Sequence, residues 1–552
     1  MYGYRPSEVG VVLGPNERPD LSFRVIRLHE GFFDMDKRRS VRVSLGCHIR
    51  GASLPVPDLN HGPSLLAGCT KRVAAAMPRI TQPRLRSFHR FVKKFCNKYL
   101  TSLRFSPDET FEFENWIDET NYALYRREEL KRVHELGKHS KVNASIKAFA
   151  KDENYTDFKH LRGIYSRHDD YKCRVGPFFQ KFGDRLFALP WFIKKIPVPD
   201  RPHALLERLS AYDKIFCTDF SQYEATFIRD LMRIEHWVYR WCLEGHPMQQ
   251  KFMELFTHMS GTNKIQFRDF CIKLIAKRMS GEMNTSCGNG LMNLLITMYN
   301  LYRIGNDLEK VHAYFEGDDG IIGCSILPTA NLYSDLGATI KIEIPESIAT
   351  ASFCGNVFDP VALHNVTNPM EASVAFGWIG ARSYRFSGTV QHGKLLCCKS
   401  LSMLYSYPGC PILAALGRYG LRVSGHHIKD LGDEWLKSHS DNLYEYELNR
   451  QSLDYISAFG VPTCDVHINT RLLVEKLYHI SVESQIFHEK YLDSLTGLQE
   501  LVFDLPFPRV WLYNDSEYCL NVDRKGRDPF FTKIGFVTPA YTEPGVVNYF
   551  KH

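Results

Sequence analysis

No apolar run in the 552-residue chain approaches the ~18 residues that a membrane-spanning helix needs, and no secretory signal opens it. Membrane contact is therefore expected only through a surface, a partner or another segment. The fifteen cysteines include no C-x2-C pair, and Cys464-x2-His467 has no companion half-site. A structural zinc of ordinary spacing and a disulfide frame are both excluded, which leaves buried thiols in a reduced compartment. Internal repeats, low-complexity tracts and Gly/Ser-rich linkers are absent, so the breaks at Pro55 to Pro57, at Pro197, Pro199 and Pro202, and at Tyr407-Pro408-Gly409 read as turns. Neither sign of charge dominates: the net value is +7, too mild to name a partner. Acids are, however, missing from His61 to Pro107, where Lys71, Arg72, Arg79, Arg84, Arg86, Arg90, Lys93, Lys94, Lys98 and Arg104 all fall. That stretch suits phosphate neutralisation and equally a solvated helix face.

What is present is globular material, 44% hydrophobic and 24% charged with 36 Phe and 28 Tyr, in a length that fits several modules or one multi-lobed enzyme. The middle third is the most legible. Lys214 to Thr218 reads as a short buried strand ending at Asp219. Phe227, Leu231, Ile234, Val238 and Trp241 recur at helical spacing, as do Leu291, Leu294, Leu295, Met298 and Leu301 after the Gly-containing stretch from Ser280 to Gly290. Val311 to Phe315 and Ile321 to Cys324 flank a tight Gly-Asp-Asp-Gly turn, hence a hairpin, and Ala338 to Ile344 is a further strand. This order predicts a sheet covered on one face by helices, of α+β type.

A hairpin tip with two adjacent carboxylates is costly unless a cation or a proton neutralises them. Mg²⁺ suits such a site, being hard, oxygen-seeking and commonly completed by phosphates, with Mn²⁺ as a substitute. A carboxylate at the end of a neighbouring strand would complete a two-metal site roughly 3.5–4 Å across, and Asp219 is the candidate. Gly317-Asp318-Asp319 alone is weak, since about one chain in ten of this length carries that tripeptide by chance. Ser280 to Asn289 adds a fit to S-G-x3-T-x3-N, expected by chance in roughly one chain in two hundred. Its glycines permit close backbone approach. Thr285 and Asn289, four apart, share a helix face, where a hydroxyl and an amide can test for a ribose 2′-OH. A Ser-capped helix start is the plainer reading of the same residues.

These motifs, in this order and spacing, resemble the viral RNA-dependent RNA polymerases of positive-strand RNA viruses, most of all the tombusvirus-like and nodavirus-like group. The resemblance runs from about Trp116 to Trp378. Asp219-Phe220-Ser221-Gln222-Tyr223-Glu224 resembles motif A, where the family usually has a second Asp in place of Glu224. Ser280 to Asn289 resembles motif B, Glu316 to Asp319 motif C, Leu336 to Lys341 motif D and Ser352-Phe353-Cys354-Gly355 motif E. Phe149 to Glu153 with Lys159, Arg162 and Arg167 resembles the basic motif F, and Trp116 to Val133 resembles the fingers of tombusvirus-like enzymes. The implied fold is a right hand of fingers, palm and thumb, the palm an antiparallel sheet backed by helices. The N-terminal segment and fingers would take 1–209, palm 210–230, a fingers insertion 231–275, palm again 276–382 and thumb 383–552.

The resemblance implies template-directed RNA synthesis. Asp219, Asp318 and Asp319 would hold the metals and Lys341 would be the general acid for pyrophosphate. Lys151, Lys159, Arg162, Arg167, Glu224, Ser280, Thr285 and Asn289 would bind the NTP, the cations on its phosphates and the others on its sugar. Implied partners are template and product RNA, NTPs and other replicase proteins on a host membrane in the cytoplasm. Tyr405, Tyr407 and Trp511 are candidates for stacking on nucleotides, with core packing as the plainer reading. No helicase P-loop, capping or protease signature is evident. Two rivals stand. A reverse transcriptase would have a bulky residue and Met or Val before its Asp pair, where Gly317 stands. A non-catalytic RNA-binding or assembly protein on a palm fold is favoured only by Glu224.

Overall fold

The computed structural model describes residues 17–30, 42–57, 59–157, 159–380, 389–425, 427–440 and 443–512, with 11, 13, 32 and 540–541. Its organising element is the strand Ile215–Ser221, whose residues 215–218 are all buried. An unbroken apolar run, instead of strict alternation, is the signature of a strand covered on both faces. The strand is central in a four-stranded antiparallel sheet. Thr339–Glu343 pairs with one side, Lys341 opposite Asp219. Asp319–Gly323 pairs with the other, Gly320 opposite Thr218, and pairs in turn with His312–Glu316.

The expected one-sided cover is a correction here, because both faces are packed. Phe216, Phe220, Ala313, Phe315, Ile322 and Ile340 lie in the main core with the helix Thr285–Arg303. Ile215, Cys217, Tyr314 and Ile321 face a smaller cluster with Leu205, Leu209, Ala351 and Phe353. The second face escaped prediction because its cover comes from 193–209 and 348–358, outside the strand–helix pattern.

After Asp219 the chain leaves this sheet through the helices Arg229–Cys242 and Gln249–Ser260. It then forms the strands Thr262–Gln266 and Phe270–Ile275, which join a five-stranded sheet with Arg24–Leu28, Ile146–Ala150 and Gly163–Arg167. Residues far apart in sequence thus share one sheet and one core. Residues 389–494 are mainly helical. The N-terminal residues Val43, Leu45, Ile49 and Leu54 pack into that C-terminal core, and Arg42–Ser44 pairs with Trp378–Gly380. The acid-free stretch centres on the helix Gln82–Tyr99, which buries Phe88, Phe91, Val92 and Phe95 and exposes Arg86, Arg90, Lys93, Lys94 and Lys98. All fourteen cysteines among the described residues are free thiols. No helix among them is long and apolar enough to cross a membrane.

Candidate active site

Asp319 pairs with Glu316 across the hairpin, so the loop is the two residues Gly317 and Asp318. Gly317 has a φ of +59° and nothing lies within 4 Å of where its Cβ would be. Its requirement is conformational: two-residue hairpin loops with a positive φ at the first position favour Gly there. One side chain holds the whole turn. Asn293 Nδ2, on the helix Thr285–Arg303, donates to the carbonyls of Gly317, Asp318 and Asp319 at 3.2, 2.9 and 3.1 Å. Its Oδ1 accepts from Thr297 Oγ1, which in turn accepts from the Tyr333 hydroxyl. All three side chains belong to fully buried residues. Sequence reasoning missed Asn293. Its signal was an amide inside an otherwise apolar helical stretch, which calls for a buried partner.

By the register Gly320↔Thr218, Asp319 and Asp219 fall opposite each other one step beyond the last paired couple, at the open end of the sheet. Alternation puts Asp219, Asp319 and Lys341 on the same face. Burial first, then Asp318, Asp219 and Glu316, push the Asp319 carboxyl up to about 7. Burial, then Glu224 and Asp219, raise Asp318 against the opposing pull of its own backbone and of Arg162. These are carboxylates short of positive charge, and oxygen donors suit a hard divalent cation. Asp219, Asp318 and Asp319 fit that group chemically, although no three His, Cys, Asp or Glu side chains among the described residues already converge as a metal cluster.

Glu224 sits on the short helix Tyr223–Thr226, entered through Gln222 in a left-handed conformation. Ser280 Oγ donates to its Oε1 at 3.3 Å, so the longer carboxylate reaches the loop of motif B. That loop is docked on the second sheet, where the Tyr165 N–H donates to the Ser280 carbonyl at 2.9 Å. Thr285 does not present a free hydroxyl: it donates to Met279 O and accepts from Gly281 N–H. It ties the loop to the first turn of its helix, which begins at Thr285 itself, with Gly288 and Gly290 inside it. Asn289 Oδ1 accepts from Arg278 Nε at 3.0 Å.

The expected cations divide. Burial opposes the Arg162 charge, but Glu153, then Glu224 and Asp318, outweigh it and raise its pKa. This guanidinium therefore faces the acidic site. Lys151 Nζ and Arg162 Nη1 share Glu153, at 2.7 and 3.4 Å. Lys159 is exposed, and its charge bears on Glu371 of the helix Pro369–Phe376. Lys341 is exposed, opposite Asp219, and paired with Glu343, which leads Asp219 in raising its pKa. Arg167 is a correction. It is 3% exposed and is bonded to Glu282, Asn263 Oδ1 and the carbonyls of Ala144 and His258. Its alternation along Gly163–Arg167 turns it inward, and every one of these partners fixes it in the core.

Tyr405 and Trp511 are buried, and Trp511 Nε1 donates to Thr156 O at 2.7 Å. The Tyr407 hydroxyl donates to Asn356 Oδ1 at 2.8 Å. Tyr405 and Trp511 are thus core residues, whereas Tyr407 is half-buried against the C-terminal core. The motif E residues Cys354 and Gly355 both have positive φ in a turn closed by Phe353 and Asn356, and the Cys354 side chain hydrogen-bonds Asp319.

A family model described as viral RNA-dependent RNA polymerase matches residues 186–361. Over 175 residues the chain is 26% identical to the RNA-directed RNA polymerase of Panicum mosaic virus, covering 30% of this chain and 17% of that protein. Over 314 residues it is 23% identical to the RNA-directed RNA polymerase of Groundnut rosette virus, covering 52% of this chain and 35% of that one. The matched stretches thus span about a third or less of these curated relatives. The resemblance to viral RNA-dependent RNA polymerases is shown for the segment that carries Asp219, Glu224, Ser280, Asn289, Asp318 and Asp319.

Proposed function

We propose that the chain is an RNA-dependent RNA polymerase that copies the genome of a positive-strand RNA virus, joining NTPs to an RNA 3′-hydroxyl and releasing pyrophosphate. The observation that carries this reading is the placement of Asp219 and the Asp318–Asp319 hairpin at adjacent strand ends, where burial and neighbouring carboxylates raise the pKa of Asp318 and Asp319. The chemistry that a bound pair of Mg²⁺ or Mn²⁺ ions supplies there is acidification of the attacking hydroxyl and neutralisation of the leaving charge. Arg162 and Lys151 receive the triphosphate, with Lys159 further out on the same loop. Lys341, opposite Asp219, delivers a proton to departing pyrophosphate. Glu224, Ser280 and Asn289 meet the sugar. Thr285 supports their loop.

In this reading the four-stranded sheet with its helices is the palm, split into 210–230 and 276–382. The five-stranded sheet belongs to the fingers, formed by residues of 1–209 and the insertion 231–275, and the helices after 383 form the thumb. Residues 42–57 join the N-terminal segment to that thumb. Partners are template and product RNA and NTPs, with other replicase proteins at a host cytoplasmic membrane.

The test is primer extension on an RNA template with rNTPs or dNTPs and Mg²⁺ or Mn²⁺. Wild type is expected to extend with rNTPs and Asp318→Ala to lose extension. Equal incorporation by both overturns the reading, and preference for dNTPs points to reverse transcription.

A further inference from the structure

Among the described residues, the most deeply buried charge pair lies beneath the sugar-facing loop. Arg278 and Glu235 are both 0% exposed. Arg278 Nη2 donates to both Glu235 oxygens at 2.8 Å, and its Nε donates to Asn289 Oδ1 at 3.0 Å. Glu235 Oε1 also accepts from the Tyr239 hydroxyl and from Asn284 Nδ2. The guanidinium lies over the Phe227 ring, 4.0 Å from its centroid. Local geometry is bent to accommodate it. Ala276 and Lys277, immediately before Arg278, both have positive φ. A Cβ on Gly288 would come 2.5 Å from Glu235 Oε1 and 2.9 Å from Arg278 Nη2. A buried pair of this kind is a poor source of net stability, so packing alone does not account for it.

A guanidinium has donors and no acceptor. Only the oxygen of Asn289 can face it, which leaves the NH₂ as the end of that amide open to a ligand. We propose that the Arg278–Glu235 pair is a specificity device for ribose: it fixes the orientation of Asn289 so that the amide donates to the nucleotide 2′-oxygen. Glu235 holds the guanidinium, the guanidinium holds the amide, and Arg278 is a positioning residue that touches no substrate. The backbone N–H of Arg278 also donates to the Glu224 carbonyl at 3.0 Å, so the same residue couples the two strands of sugar recognition. This inference rests on the polymerase reading.

The test compares single-nucleotide incorporation of an rNTP and the matching dNTP in the full chain. Replacing both partners, Arg278→Met with Glu235→Leu, removes the charge pair without leaving one member unpaired, and melting curves check folding. The ratio of kcat/KM for rNTP over dNTP is expected to fall at least about tenfold, through a raised KM for the rNTP. Asn289→Asp keeps an oxygen for Arg278 but has no N–H, and is expected to lose discrimination as well. Should both efficiencies fall equally in the double variant, or Asn289→Asp keep wild-type discrimination, the inference is overturned. Absence of RNA synthesis by the wild type would instead remove the polymerase reading itself.

Discussion

Glu235 and Asp318 both lie near an arginine, and the protein treats the two carboxyl groups in opposite ways. Glu235 has a guanidinium, a phenol and an amide on its oxygens. Asp318 and Asp319 face Asp219, Glu224 and Glu316, with Arg162 facing Asp318 from the strand-end of the second sheet. Charge that is paired inside the chain holds its neighbours in place. Charge that the chain leaves facing like charge is arranged for something brought from outside.

The largest change to stability is expected at the buried Arg278–Glu235 ion pair. Glu235→Gln leaves Arg278 buried without its counter-charge, and chemical denaturation should show a loss of about 3–5 kcal/mol. A loss under 1 kcal/mol would show that the pair is not the closed unit described.

The acidic site should respond in the opposite sense. Asp319 has its folded-state pKa raised from 3.8 to about 7, so the folded protein binds that proton more tightly than the unfolded chain does. The stability this contributes is full below pH about 4 and is lost as pH rises through about 7. In EDTA the protein should therefore lose stability across that window, on the order of 2 kcal/mol after solvent screening. Added Mg²⁺ should restore more at pH 8 than at pH 5. A metal effect that is equal at both pH values would break the contrast.

Asn293→Leu gives the smallest expected effect, about 1 kcal/mol for the lost amide. Because the amide holds all three carbonyls of the turn, this variant should also need more Mg²⁺ for half-maximal synthesis. An unchanged Mg²⁺ requirement would reduce Asn293 to packing.

The parts legible in the sequence were those with local causes. The Asp219 strand followed from an unbroken apolar run, the hairpin from two such runs around a Gly-Asp turn, and the helix 229–242 from its spacing of apolar residues. What was not legible depended on residues distant in the chain. Arg167 resembled a phosphate ligand, and its burial is decided by Glu282 and Asn263. Thr285 resembled a sugar reader, and its hydroxyl is bonded to Met279 and Gly281 at both ends. Gly288 fitted a loop open to nucleic acid, yet it sits in a helix against the Arg278–Glu235 pair. The reach of Glu224 to Ser280 likewise needed two segments brought together by the fold.

The central claim, that Asp219 and the Asp318–Asp319 turn serve template-directed RNA synthesis, is tested most directly by single-nucleotide incorporation opposite each of the four template bases in Mg²⁺. Wild type, Asp219→Asn and Asp318→Asn would be compared at equal protein concentration. The expected result is incorporation of the complementary rNTP by wild type and a loss of about 10³-fold or more in either variant. Variants that incorporate at the wild-type rate, or wild-type incorporation that ignores the template base, would contradict the account.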